Sequence, residues 1–288
     1  MAFVSYAQNL EDVMLWRALR HVENGFYIDV GAADPTECSV TRAFYDRGWR
    51  GINIEPSEQY FTKLAEFRTR DVNLQVAIGE TEGSHPFFVV PRTGLSTLCP
   101  DVAMQNMKAG WPVHETRVRT MTLAAVCRTH APPEFHLLKI DVEGAEQRVL
   151  AGADFDSFRP WIVLVEATRP LSQEAAHESW EPILNGSGYR YVWFDGLNRF
   201  YLAAERYDEL HQHFCTPPNI FDDFIRFDPA REASEARLAA LEARLAALEA
   251  RFAALTAPLR GVRRAARWVL RGSGLADARI QRPASPSD

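Results

Sequence analysis

At 288 residues, with 47% hydrophobic and 24% charged side chains, the chain has the makeup of a soluble globular protein with room for one sizeable domain and appended segments. Its net charge of −6 is unevenly spread: from Thr256 onward there are seven arginines and two aspartates, leaving 25 basic and 36 acidic side chains before that point. An acidic body argues against nucleic acid as a partner, since phosphate recognition needs a basic surface; four cysteines without C-x-x-C spacing or clustered histidines argue against a zinc site or disulfide framework and suit a reducing, cytoplasmic setting.

The first dozen residues carry Gln8, Asn9, Glu11 and Asp12 in place of a basic and then apolar leader, so no signal peptide is expected. A helical pattern over 6–21 leads to a strand at 26–30, which runs through Asp29 into Gly31, Ala32 and Ala33 before a helix expected at 39–47. Small residues let a ligand approach the backbone, and a helix start offers free N–H groups. The next strand, 51–55, ends in Glu55, 24 residues beyond Gly31, where an acid is placed to accept hydrogen bonds from both hydroxyls of an adenosine ribose. A helix at 57–67 and a strand at 73–78 follow. The stretch 87–120 is punctuated by Pro91, Gly94, Pro100, Gly110 and Pro112 and reads as an insertion over the ligand edge of the sheet, forming a lid or substrate wall. A surface excursion without function is the alternative.

Beyond the insertion come a helix at 123–130, strands at 135–141 and 161–167, and helices at 143–151 and 172–184. Strands at 190–194 and 199–203 flank Asp195-Gly196-Leu197-Asn198, a hairpin turn that ends the sheet with an antiparallel pair. This alternation is the signature of an α/β fold, a mostly parallel seven-stranded sheet covered on both faces by helices.

The most informative junction is Leu137-Leu138-Lys139-Ile140-Asp141-Val142-Glu143-Gly144-Ala145-Glu146, an apolar strand ending in carboxylates and glycine. In open α/β sheets the carboxyl edge binds ligands, because strand-to-helix loops diverge there. Lys139 is one of only three lysines, and within an apolar strand it must reach a partner. A buried Lys–carboxylate pair serving only the core is the bland alternative. Asp141 and Glu143 alone make a thin case for a divalent ion, and no metal is expected.

The body is expected to span 1–229. From Glu235 the chain repeats Glu-Ala-Arg-Leu-Ala-Ala-Leu, and Leu238, Leu241, Leu245, Leu248, Phe252 and Leu255 form an a/d seam with arginine at g and glutamate at e. A helix over 230–257 that forms a homo-oligomeric coiled coil through 235–255 is the first reading; a lone alanine-rich helix on its own domain is the other. In 258–288, residues 259–271 interleave arginines with Val262, Trp268, Val269 and Leu270, as suits peripheral contact with an anionic membrane or a solvated helix end; the Gly, Ser and Pro beyond suit a disordered tail.

Asp34 and Pro35 stand where a dinucleotide site would need glycines, which favours a nucleoside ligand without a diphosphate. Asp29, Gly31 and Glu55 together resemble the cofactor signature of class I methyltransferases. With Ser5 to Leu15, Gly51 to Pro56, Val76-Ala77-Ile78-Gly79, Gly94-Leu95-Ser96-Thr97-Leu98 and Leu138 to Glu146, the chain resembles the FkbM family of methyltransferases over residues 3–205. Pro35 departs from the family's glycine loop. The resemblance implies a Rossmann-like sandwich and O-methylation, with S-adenosyl-L-methionine as cofactor and a sugar, glycan or other natural product as acceptor. It places the amino-acid end of the cofactor near Asp29, Gly31, Ala32 and Asp141, its ribose on Glu55 and its adenine beside Val76 and Ala77, with Gln8 and Asp12 closing over it. For the acceptor proton, Asp141, Glu143 and Glu166 are the carboxylates at strand ends, and Lys139 would orient one of them or stabilise an alkoxide. His114 and His136 are weaker choices, and Trp111 is the aromatic expected to face substrate. A nicotinamide-dependent sugar-modifying enzyme and a non-catalytic scaffold are the rival readings.

Overall fold

The computed structural model describes residues 2–272, with side chains through residue 255 except those of 235 and 236. The chain divides into two compact units, Met1–Phe227 and Asp228–Asp288. The first opens with β1 (Phe3–Ser5), α1 (Glu11–Leu19), β2 (Phe26–Val30), α2 (Arg42–Asp46), β3 (Arg50–Ile54), α3 (Glu58–Phe67), β4 (Val72–Leu74) and β5 (Ala77–Ile78). It continues with β6 (Gly83–Val89), α4 (Pro100–Lys108), β7 (His114–Met121), α5 (Leu123–His130), β8 (Glu134–Ile140), α6 (Glu146–Ala151) and β9 (Arg159–Glu166). It closes with α7 (Glu181–Gly186), β10 (Tyr189–Phe194), β11 (Asn198–Ala203), α8 (Tyr207–Leu210) and β12 (Phe224–Arg226); α9 (Pro229–Gly272) belongs to the second unit.

Seven strands form the central sheet in the order β10-β11-β9-β8-β2-β3-β4. From β9 to β4 neighbours are parallel, while β11 runs antiparallel to both β9 and β10. The chain order reverses between β2 and β8, so the loops after these two strands diverge. Side chains alternate between faces. Ile28, Val30, Ile52, Ile54, Leu138 and Ile140 pack on one side. Tyr27, Leu137, Ile162, Leu164 and Phe200 pack with α1 and Trp49 on the other. Burial on both faces explains the near-continuous apolar strands, against which buried Asp29, Asn53 and Lys139 stand out, aligned in register across β3, β2 and β8.

Several boundaries differ from those expected, each for a local reason. The strand at 73–78 splits: β4 joins the central sheet, while β5 pairs with β7 in a separate three-stranded sheet with β6. The first helix begins at Glu11 because the Asp12 carboxylate holds the backbone N–H groups of Tyr6 and Ala7 and Leu10 is left-handed, with φ 65°. In place of a helix from residue 172, Thr168 bridges Ala175 and the chain turns back before α7. The insertion is an antiparallel β6–β7 hairpin enclosing α4.

In the second unit, α9 covers both the heptads and the arginine-rich stretch and runs through Pro258 with no break at 257. Leu238, Leu241, Leu245, Leu248 and Leu255 are exposed on it. No helix among the described residues is long and apolar enough to cross a membrane. The side chains of 259–271 and the tail from 273 lie outside the described residues.

Behind the loop after β2, Arg68 is fully buried. Its guanidinium donates to the Pro35 carbonyl at 3.1 and 2.9 Å, to Ser39 Oγ at 2.9 Å and to the Tyr27 hydroxyl at 3.1 Å, and lies 4.0 Å from Asp71. Pro35 needs no N–H here, because the loop is held through its carbonyl. Arg68→Ala leaves these acceptors without their donor and buried Asp71 without its cation and should cost about 3 kcal/mol or more in urea unfolding; Arg68→Lys, lacking the planar fork, should recover only part.

Candidate active site

A cavity of about 500 Å3 opens at the carboxyl edge of the parallel strands. Gln8, Asp29, Gly31, Ala32, Glu55, Val76, Ala77, Lys139, Asp141, Glu143 and Glu166 all line it, so nearly every residue singled out from the sequence meets in one space. Arg92, Thr93, Gly94, Leu95, Ser96 and Leu98 supply a wall from the insertion.

Asp29 and Lys139 are opposed on adjacent strands and leave the same face. Lys139 Nζ lies 3.2 Å from Asp29 Oδ1 and 3.6 Å from Asp141 Oδ2, and donates to the Gly31 carbonyl at 2.6 Å. Burial works against the ammonium, but the two carboxylates outweigh it and hold the Lys139 pKa well above its ordinary value. Lys139 is therefore held as a cation between the loops after β2 and β8. The other Asp29 oxygen accepts from the Thr41 hydroxyl at 2.8 Å. Gly31 has φ +77°, and a Cβ there would lie 1.8 Å from the Asp141 carbonyl oxygen, so only glycine lets the two loops pass.

At the end of β3, Glu55 Oε2 accepts from Ala33 N–H at 2.9 Å and Oε1 from Ser57 N–H at 2.8 Å. Burial, opposed by these donors, pushes its pKa up to about 7. Ile54, Val76, Ala77 and Ile78 form an apolar stretch of the same lining. Asp34 is committed to its own loop, taking the N–H groups of Thr36 and Glu37 at 3.0 and 3.1 Å and Lys63 Nζ at 2.6 Å.

The loop after β8 is organised by Glu146, whose Oε1 accepts from Val142 N–H at 3.2 Å and Gly144 N–H at 3.1 Å. That is why α6 starts at Glu146 and not at 143. Glu143 and Gly144 are both left-handed, with φ 56° and 92°, and the Thr97 hydroxyl of the insertion donates to the Glu143 carbonyl at 2.7 Å. The left-handed backbone is strained for a glutamate. The result gathers carboxylate oxygens of Asp141, Glu143 and Glu166 within 4.8 Å of one another. Burial, and then repulsion from neighbouring carboxylates, raises Glu143 and Glu166 well above the ordinary carboxylate range.

Some residues are placed differently from expectation. Asp12 does not line the cavity: it is fully buried and accepts from Ser5 Oγ at 2.7 Å and from the Tyr6 and Ala7 N–H groups, so it shapes the loop that carries Gln8. His136 accepts from Phe26 N–H at 3.1 Å and packs against Trp49 and Trp161, which is a core role. His114 and Trp111 are exposed and contribute nothing to the lining. Glu11, which the sequence marks only as part of the amino-terminal motif, does line the cavity; it accepts from Asn198 Nδ2 at 2.9 Å and from Asn9 N–H at 2.7 Å. No local signal joins Glu11 to Asn198, which reaches it only because β11 lies beside β9.

Glu11 has its pKa raised to about 8, chiefly by burial and then by Asp195, with Asp12 adding a smaller push and the N–H of Asn9 opposing. Between the ordinary glutamate value and these raised values the folded chain holds more protons than the unfolded one, so stability falls as pH rises. The ligand-free protein should therefore melt at a lower temperature at pH 8.5 than at pH 5.5, and Glu11→Gln should flatten that dependence in a thermal-melt series.

Residues 29–191, more than half of the chain, match the family described as the Methyltransferase FkbM domain. No curated protein matches the chain. The matched span runs from the Asp29 that faces Lys139 into β10 and takes in both loops that build the cavity, and on this ground the chain belongs to the FkbM methyltransferase family.

Proposed function

We propose that this methyltransferase uses S-adenosyl-L-methionine to methylate a hydroxyl of a sugar, glycan or related natural product, within a Rossmann-like class I fold. The observation that carries the reading is Glu55, held by two backbone N–H groups at the end of β3 beside the Gly31 loop and the apolar Val76 and Ala77. Each Glu55 oxygen keeps a lone pair for a ribose hydroxyl. Eight carboxylates and two cations, Lys139 and Arg92, line the cavity, which fits a ligand of net positive charge and disfavours the diphosphate of a nicotinamide dinucleotide.

The cofactor supplies an activated methyl group, leaving the chain to align the acceptor oxygen and exclude water. Gly31 and Ala32 let a ligand reach the backbone, while Asp29, engaged by Thr41 and Lys139, steadies the loop. Asp141, Glu143 and Glu166, at the strand ends in the same lining, are the carboxylates within the cavity available to take the hydroxyl proton. A calorimetric titration of S-adenosylhomocysteine should give saturable binding that Glu55→Ala weakens about 10- to 100-fold, the worth of hydrogen bonds to a charged group. Binding of NAD in its place, or of neither, would sink the reading in favour of the nicotinamide or scaffold alternative.

We propose also that α9 pairs with α9 of a second copy. Leu238, Leu241, Leu245, Leu248 and Leu255 are exposed at a/d spacing. Arg237 and Arg244 at g stand opposite Glu242 and Glu249 at e in a parallel pair, which favours the same helix as occupant. Full-length protein carrying Leu241→Lys and Leu248→Lys should sediment at a lower mass than wild type, with cofactor binding intact; an unchanged mass removes the pairing.

A further inference from the structure

We infer that Asp141, Glu143 and Glu166 bind one divalent cation in the wall of the cavity. Their oxygens lie within 4.8 Å of one another. Ligands around a hard cation, with metal–oxygen bonds of roughly 2.1–2.6 Å, span about 3–5 Å. The donors are all carboxylate oxygens, the class that selects magnesium, manganese or calcium over softer metals.

Two further observations point to a missing partner. Glu166 is 7% exposed, yet its Oε2 has no hydrogen-bond donor, and Glu143 Oε2 is in the same condition. Thr168, two residues past Glu166 and 5% exposed, lines the same cavity with its hydroxyl unpartnered. Native structures seldom leave such atoms unsatisfied, and each one here is an oxygen. Lys139 does not fill the role, because its ammonium is engaged by Gly31 and Asp29 and reaches only Asp141 of the three, at 3.6 Å.

Two adjacent strands supply the cluster, two carboxylates from the loop after β8 and one from the end of β9, and the backbone of that loop sets their convergence. Asp141 follows β8, Glu166 ends β9, and Glu143 is turned by its left-handed backbone, whose carbonyl Thr97 holds. Three protein oxygens leave coordination positions for water and for a hydroxyl oxygen of the acceptor, whose proton a divalent cation would loosen. That second role rests on the methyl-transfer reading; cation binding does not.

The test uses MnCl2 alone, titrated into full-length protein stripped with a chelator, and read by calorimetry and by the loss of the free-ion Mn2+ resonance signal. One Mn2+ per chain is expected, with a dissociation constant of about 100 μM or tighter. Glu166→Gln and Glu143→Gln, each checked for folding by its thermal melt, should weaken binding tenfold or more. Absence of saturable binding to wild type overturns the site and leaves shared protons as what holds the carboxylates together. Equal affinity in both variants overturns it too, since the ion would then sit elsewhere. Because S-adenosylhomocysteine is titrated separately, failure of the cofactor reading and failure of the cation site are distinguishable.

Discussion

Lys139 reaches from β8 toward β2, and its ammonium is shared among the carboxylates of Asp29 and Asp141 and the carbonyl of Gly31. Without that cation, two carboxylates would face each other across the seam where the sheet changes direction, and the loops after β2 and β8 would have no reason to approach. With it, the Gly31 loop lies close enough to the next strand for Gly31 N–H and Ala32 N–H to reach the Ile54 carbonyl at 3.0 and 3.2 Å. Ala33 is thereby delivered to Glu55. The proposed ribose anchor is thus set at third hand by a lysine two strands away.

The two halves of the cavity handle charge in opposite ways. Along the β2–β8 seam every acid has its cation or donor: Asp29 has Lys139 and Thr41, and Asp34 has Lys63. Around Asp141, Glu143 and Glu166 the acids crowd together with buried oxygens left unanswered. A balanced region is rigid and electrostatically quiet, while an unbalanced one attracts protons or cations. Neighbouring environments of this kind push the titratable groups of one cavity apart.

The central strands were legible because burial on both faces leaves uninterrupted apolar runs, and Asp29, Glu55, Lys139 and Asp141 were legible because charge at the end of such a run is conspicuous. Helix starts were less so. Asp12 and Glu146 bind nearby backbone N–H groups and delay the helices that periodicity alone would begin earlier. The family resemblance puts Asp12 over the cofactor, but Asp12 is buried beside β1, which pairs with the returning β12, a contact between the two ends of the unit that no local pattern announces. The third member of the acidic cluster was visible as a strand-end glutamate, but its distance to the others depends on the left-handed Glu143.

The insertion is tied to the acidic loop at a few points: Thr97 holds the Glu143 carbonyl across 46 residues of sequence, and a Cβ on Gly144 would come within 2.9 Å of Val102 on α4. The wall and the loop carrying two of the three clustered carboxylates therefore move as one mechanical piece. Pressure on that wall from a molecule of the wrong size is transmitted to the backbone of Glu143, so the fit of a guest and the spacing of the acids are not separate properties of this cavity.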